Sequence, residues 1–348
     1  MNNRIEKLLG LMENKGIETV IVTDPKNMHY YSGFYKGEGY AVISRSKHFI
    51  VTDSRYTEYA ESVCKGFEVA DISEHKPSDF VSENALVGFE DKSISYDKYV
   101  NLAKQIDNLT PVGDMLIAPR EIKDDDEIKS IRKAVTIADD AFSHICSYIT
   151  KGMTEKEVAA EIDCYMKKHG AEDSSFSTIA AAGERGSLPH AIPSERTLKT
   201  GDLVVMDFGC IVDGYCSDMT RTVAVGDISS ECEKIYNTVL EAQLSALKSI
   251  KAGALACDVD NVARNIIDSL YPKRFGHALG HSVGLDIHEA PNLSPKNSCP
   301  LKTNNVVTVE PGIYIPGLCG VRIEDLVVVG DDGCDILTKS PKQIIAVG

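Results

Sequence analysis

Five residues in the second half of the chain, Asp207, Asp218, His281, Glu310 and Glu324, are the side chains best suited to chemistry. One imidazole and four carboxylates suit hard or borderline divalent ions such as Mn²⁺, Co²⁺ or Zn²⁺, and suit thiolate-seeking metals poorly. Ions held in such a set activate water, so the reaction class they point to is metal-assisted hydrolysis.

Each ligand must be carried by an element that aims it. Residues 203–209 and 215–222 read as two strands joined through Asp213-Gly214, a favoured two-residue hairpin turn. Closing the turn there sets Val212 opposite Tyr215, Asp207 opposite Thr220 and Asp218 opposite Gly209. The two aspartates then share one face as diagonal neighbours, roughly 7–8 Å apart at the backbone, and can converge on a pair of cations. Taken alone, the hairpin is equally compatible with two acids on the wet side of a sheet.

Residues 276–289 hold His277, His281 and His288 among several glycines. The spacing of His277 and His281 is that of a zinc-binding helix, but Ala278 stands where that pattern needs glutamate, which argues against a zincin. Glu310 follows Val306-Val307-Thr308-Val309 and precedes Pro311-Gly312, so it is expected to project from a strand end. Residues 321–329 read as one apolar run in which Arg322 and Glu324 face the same side. Charges in such runs are costly unless paired or metal-bound, and a salt bridge and a ligand role both fit this pair.

The segments Pro189-His190-Ala191, Met206-Asp207-Phe208-Gly209, 217–222, 280–289, Val309-Glu310-Pro311-Gly312 and Arg322-Ile323-Glu324-Asp325 together resemble the pita-bread metallopeptidases. The likeness is to the proline-specific branch, aminopeptidase P and prolidase. Residues 27–34 and 52–56 resemble the creatinase-type N-terminal domain, so the similarity covers nearly the whole chain. It implies an α/β creatinase-like domain over residues 1–120 and an α+β pita-bread catalytic domain, with a mainly antiparallel curved sheet, over residues 121–348.

The resemblance further implies a homodimer with two divalent ions per subunit, manganese ahead of cobalt or zinc. The substrate would be a peptide with proline in second position, cleaved at the Xaa-Pro bond by a metal-bridging water or hydroxide. Asp207 would bind one metal, Asp218 and Glu324 would bridge, and His281 would bind the other. Glu310 would join the cluster and serve as general base or proton shuttle. His190, His277 and His288 match the non-ligand histidines that stabilise a developing oxyanion, and Arg322 would order Glu324 or a substrate group. The alternatives are a methionine aminopeptidase-like specificity and a noncatalytic peptide-binding protein, against which the unbroken ligand set argues. Many relatives have glycine where this chain has Ser282, so the serine either narrows the backbone's freedom or adds a hydroxyl near the metals.

Composition sets outer bounds. A chain of 348 residues has room for two cores, and 43% hydrophobic with 26% charged residues is ordinary for a globular protein. A net charge of −15 opposes binding to nucleic acid or anionic membranes. The ten cysteines are scattered without a C-x-x-C pair, which fits reduced thiols in the cytoplasm. The N-terminus lacks the uncharged apolar core of a secretory signal, and no run reaches the roughly 20 apolar residues of a membrane span. In the first half, apolar residues at helical spacing precede a β-branched strand over 19–23. Further strand-like runs follow at 40–44, 48–52 and 85–89. A domain break is expected near residues 117–123. Beyond it, Asp124-Asp125-Asp126-Glu127 opens a long helix and Thr154-Glu155-Lys156-Glu157 a second in capping-box form, with helical patterns again at 230–250 and 256–270.

Overall fold

The turn at Asp213-Gly214 closes with both residues at positive φ, 52° and 82°, the backbone that twists two strands into a tight hairpin. In the computed structural model, which describes residues 3–348, Val212 pairs with Tyr215 and Ile211 with Cys216. The same register resumes beyond as Phe208 with Met219 and Asp207 with Thr220. Between these stretches the ladder is interrupted, and there the backbones come so close that a Cβ at Gly209 would lie 1.9 Å from Ser217 O. Only glycine permits that approach, and the two parts of the hairpin belong to different sheets.

The chain divides into two compact units, Met1–Arg120 and Glu121–Gly348. The first is α/β. Its sheet runs in the order Glu68–Asp71, His48–Thr52, Tyr40–Ser44, Thr19–Val22, Val87–Phe89 and Leu109–Pro111. The three strands from Thr19 to Thr52 pair antiparallel and the outer ones are added in parallel. Helix Asn3–Asn14 buries Ile5, Leu8 and Met12, the stripe expected from their spacing. Helix Pro25–Ser32 starts under an Asp24 cap, with proline in its first turn, and stops at a left-handed Gly33. The edge strands Glu68–Asp71 and Leu109–Pro111 were not legible in the sequence, being short and only partly buried.

In the second unit, helix Asp125–Tyr148 begins with Asp124 and Glu127 in a reciprocal capping box, and Glu155–Lys168 does so with Thr154 and Glu157. These two helices pack their apolar stripes, including Phe142, Ile145 and Ile162, against Val204, Met206 and Val223 of the Leu203–Phe208 and Met219–Val225 strands. Helices Ser230–Ser249 and Ala256–Leu270 cover a second core around Val307, Val309 and Val327. That core is built on a five-stranded antiparallel sheet, ordered Glu289–Leu293, Gly280–Ser282, Val306–Val309, Asp325–Val329 and Cys334–Ile336. Pairing in this unit is antiparallel except where Ala346–Val347 lies along Met219–Val225.

One expected strand is in fact two. Cys319–Arg322 pairs with Gly312–Ile315, whereas Asp325–Val329 pairs in the five-stranded sheet. A continuous apolar run signals burial, not the identity of the partner strand, so the switch at Ile323-Glu324 was invisible.

Candidate metal centre

Interruptions in the strands are what turn the acids inward. Asp218 lies in the hairpin's gap, Glu310 directly after Val306–Val309, and Glu324 between Cys319–Arg322 and Asp325–Val329. Asp207 is near the end of Leu203–Phe208 and His281 is central in Gly280–Ser282. Oxygens of Asp207, Asp218 and Glu324 lie within 4.8 Å of one another. His281 Nε2 is 3.5 Å from Asp218 Oδ2 and 3.4 Å from Glu310 Oε1. All five line one cavity of about 750 Å³, together with His190, His277, His288 and Arg322. Neither aspartate is on a wet face: their side chains are 14% and 7% exposed.

Two buried threonines, for which the sequence suggests no bridging role, orient this set. Thr220 Oγ1 accepts from Arg322 Nε at 2.9 Å and donates to Glu324 Oε2 at 2.7 Å. Thr308 Oγ1 accepts from the His281 N–H at 3.0 Å and donates to Glu310 Oε1 at 3.1 Å. Arg322 and Glu324 therefore do face the same side, but the carboxylate that Arg322 grips directly is Asp207. Its other donors reach Tyr314 OH at 2.8 Å and Pro189 O at 3.3 Å. Tyr314 was not singled out either. No spacing rule marks a hydroxyl that becomes a bridge only when separate sheets meet.

The imidazole tautomers follow from their partners. His281 Nδ1 faces Ser282 O at 3.2 Å; a carbonyl only accepts, so Nδ1 carries the proton and the Nε2 lone pair points at the carboxylates. His277 Nδ1 likewise donates to Ala278 O at 2.8 Å, so its Nε2 accepts from Tyr314 OH at 2.8 Å. Burial, seconded by His288 at His281 and by Arg322 at His277, pushes both histidines down to about 4, so both are neutral at pH 7. The contacts of His281 with Asp218 and Glu310 are thus not ion pairs. His288 packs its ring 4.3 Å from that of His281, and His190 stands exposed on the cavity rim.

The acids respond oppositely. Burial, then the neighbouring Glu324 and Asp207 charges, holds Asp218 well above the usual carboxylate range. Burial with Glu310 and Asp207 does the same to Glu324, and burial pushes Glu310 up to about 8 against the pull of Arg322. Asp207 Oδ1 and Glu324 Oε1 are buried without a hydrogen-bond partner. Several repelling carboxylates, two bare oxygens and an aimed imidazole lone pair fit divalent cations, whose charge and coordination would remove both penalties. Ser282 does not crowd this centre: its hydroxyl turns to Lys123 Nζ, 2.9 Å away.

Residues 129–331 match the model of metallopeptidase family M24, and residues 4–122 that of the creatinase/prolidase N-terminal domain. An uncharacterised peptidase of Bacillus subtilis strain 168 is 42% identical over 353 residues, covering 98% of this chain and 99% of that protein. The structure of an Xaa-Pro dipeptidase from Bacillus anthracis matches with a TM-score of 0.95 at 40% identity, over 99% of both chains. That of an X-Pro aminopeptidase from Thermotoga maritima matches at 0.92 and 36% identity, over 99% of this chain and 100% of that one.

Proposed function

The chain belongs to metallopeptidase family M24 and is a metal-dependent peptidase, and on that premise we propose that it hydrolyses Xaa-Pro bonds, with dipeptides as its first substrates. The observation that carries this reading is the convergence of Asp207, Asp218, His281, Glu310 and Glu324 on one cavity, in a chain alike over its whole length to an Xaa-Pro dipeptidase. The likeness to an X-Pro aminopeptidase favours longer peptides as a second reading. We take residues 1–120 as the creatinase-type domain and 121–348 as the catalytic one. The free thiols suit a reducing compartment.

Asp207 would hold one cation and His281 a second, Asp218 and Glu324 would be shared between them, and Glu310 would join the same cluster. Two bound divalent ions, manganese first among the candidates, would supply a water of lowered pKa and polarise the scissile carbonyl. The chain's own groups do the rest. Glu310 is the proton carrier, taking a proton from the attacking water and delivering it to the departing proline nitrogen. Thr308 holds the Glu310 carboxylate, and Arg322 holds Asp207 in place. His288 and His190 are assigned to the carbonyl oxygen as it gains charge. Both ring nitrogens of His277 are engaged within the protein, so its part is to support Tyr314 and, through it, Arg322.

An Xaa-Pro bond offers no amide N–H, so recognition must come from shape. Phe176, Ile179, Pro189, Ala191, Ile192 and Ile287 provide apolar walls to the cavity. The test is to reload metal-depleted protein with Mn²⁺, Co²⁺ or Zn²⁺ and compare a Xaa-Pro dipeptide with a Xaa-Pro-Yaa tripeptide. Faster dipeptide cleavage is expected. Tripeptide preference would shift the reading to aminopeptidase P, and cleavage of neither would overturn proline specificity.

A further inference from the structure

Opposite His281 the sheet register shifts: His281 faces Asn292, but Ser282 faces Glu289, so two residues of the partner strand are passed over in one step. Such irregularities re-aim side chains, and here it falls beside the imidazole. A single side chain grips the displaced pair. Lys123 Nζ lies 2.9 Å from Ser282 Oγ and 3.0 Å from Glu289 Oε2, with the Lys123 side chain 0% exposed and that of Glu289 3%. Lys123 is itself anchored, its N–H bonding to Asn304 O at 3.0 Å. The other Glu289 oxygen accepts from the Asp286 N–H at 3.1 Å, which ties the turn between His281 and His288 to the same carboxylate. Space for that carboxylate exists because residue 284 is glycine; a Cβ there would lie 2.5 Å from Glu289 Oε2.

A buried lysine is costly, and an apolar side chain would fill the same volume more cheaply. We propose that Lys123 is a positioning residue: by clamping Ser282 and Glu289 it fixes the bulge that presents Ser282 O to His281 Nδ1, and so aims the His281 lone pair at the cation site. The proposal rests on the metal-centre reading above. Ser282 gives the clamp its hydroxyl contact, which glycine has no side chain to make.

The test compares wild type with Lys123→Met, Ser282→Ala and the double variant Lys123→Met/Glu289→Gln. Lys123→Met alone takes the cation from a buried carboxylate; the double variant removes both charges and keeps the packing, so a fold failure of the first leaves the second to decide. Two quantities are read: Mn²⁺ affinity by calorimetry, and the tautomer of the His281 ring by ¹⁵N NMR of metal-free protein. The double variant is expected to bind Mn²⁺ roughly 10- to 100-fold more weakly, with the Nδ1–H form of His281 no longer dominant. Ser282→Ala should show a smaller loss in the same direction, and adding Lys123→Met/Glu289→Gln to His281→Ala should weaken binding no further. Wild-type affinity with an unchanged tautomer in the folded double variant would overturn the clamp while leaving the metal reading intact. Failure of wild type to bind any divalent ion would overturn the metal reading, and the clamp's purpose with it.

Discussion

Each of the two units buries a carboxylate, and the two are treated in opposite ways. Glu90 in the first unit accepts from Asp24 N at 2.8 Å, Asn27 Nδ2 at 2.7 Å and the backbone and hydroxyl of Thr23. Glu324 in the second has Thr220 on one oxygen and nothing on the other. The adjacent Asp325 makes the contrast sharper. It is saturated by Arg221 at 2.7 Å, Lys342 at 2.6 Å and Gln243 at 2.9 Å, and these partners outweigh burial and hold it below the usual carboxylate range. Burial alone therefore does not mark a functional acid. Burial with lone pairs left open does, because nothing in the chain repays the desolvation.

Exchanging the neighbours is the strongest way to break this distinction. Glu324→Ala should lower turnover at least about 10³-fold while leaving the metal-free protein as stable as before or more so, since one repelling charge is gone. Retained activity would remove Glu324 from the site. Asp325→Ala should do the reverse, stranding Arg221 and Lys342 and costing about 3–5 kcal/mol in urea unfolding. Unchanged stability there would mean that saturation is not what holds Asp325. Glu90→Ala should cost less, about 1–3 kcal/mol, because it strands neutral donors, and it should leave Mn²⁺ affinity untouched.

The gentlest probe is pH. Glu310 in the metal-free protein is raised from 4.5 to about 8, so the folded chain binds that proton more tightly than the unfolded one. Its stabilising contribution is complete below about pH 4.5 and is lost as pH rises to about 8; Asp218 and Glu324 act in the same direction. The melting temperature of metal-free protein should accordingly fall between about pH 6.5 and 8, above the range in which the depressed His277 and His281 act the other way, and added Mn²⁺ should raise it more at pH 8 than at pH 5. A flat profile would contradict the raised proton affinity that burial and neighbouring charges give these acids.

Much of this was legible because some sequence signals are geometrically strict. A two-residue Asp-Gly turn leaves one register, so the pairing of Asp207 with Thr220 could be counted off in advance. Capping residues fixed the starts of Asp125–Tyr148 and Glu155–Lys168 for the same local reason. What could not be read depends on elements distant in sequence. The sheet change at Ile323-Glu324, the threonine bridges, the turn of Arg322 toward Asp207 and the Lys123 clamp all arise where separately formed strands meet.

The hairpin that carries the two aspartates also has a temporal meaning. Its contacts are local, and hairpins of this kind close in about 1–10 μs, whereas the hydroxyl of Thr220 must wait for a carboxylate 104 residues further along. The acidic pair can thus exist on an emerging chain before the strands bearing His281, Glu310 and Glu324 have been synthesised. Between those moments the aspartates have a face but no cage, and a cation arriving early would meet an open ledge from which it is readily lost.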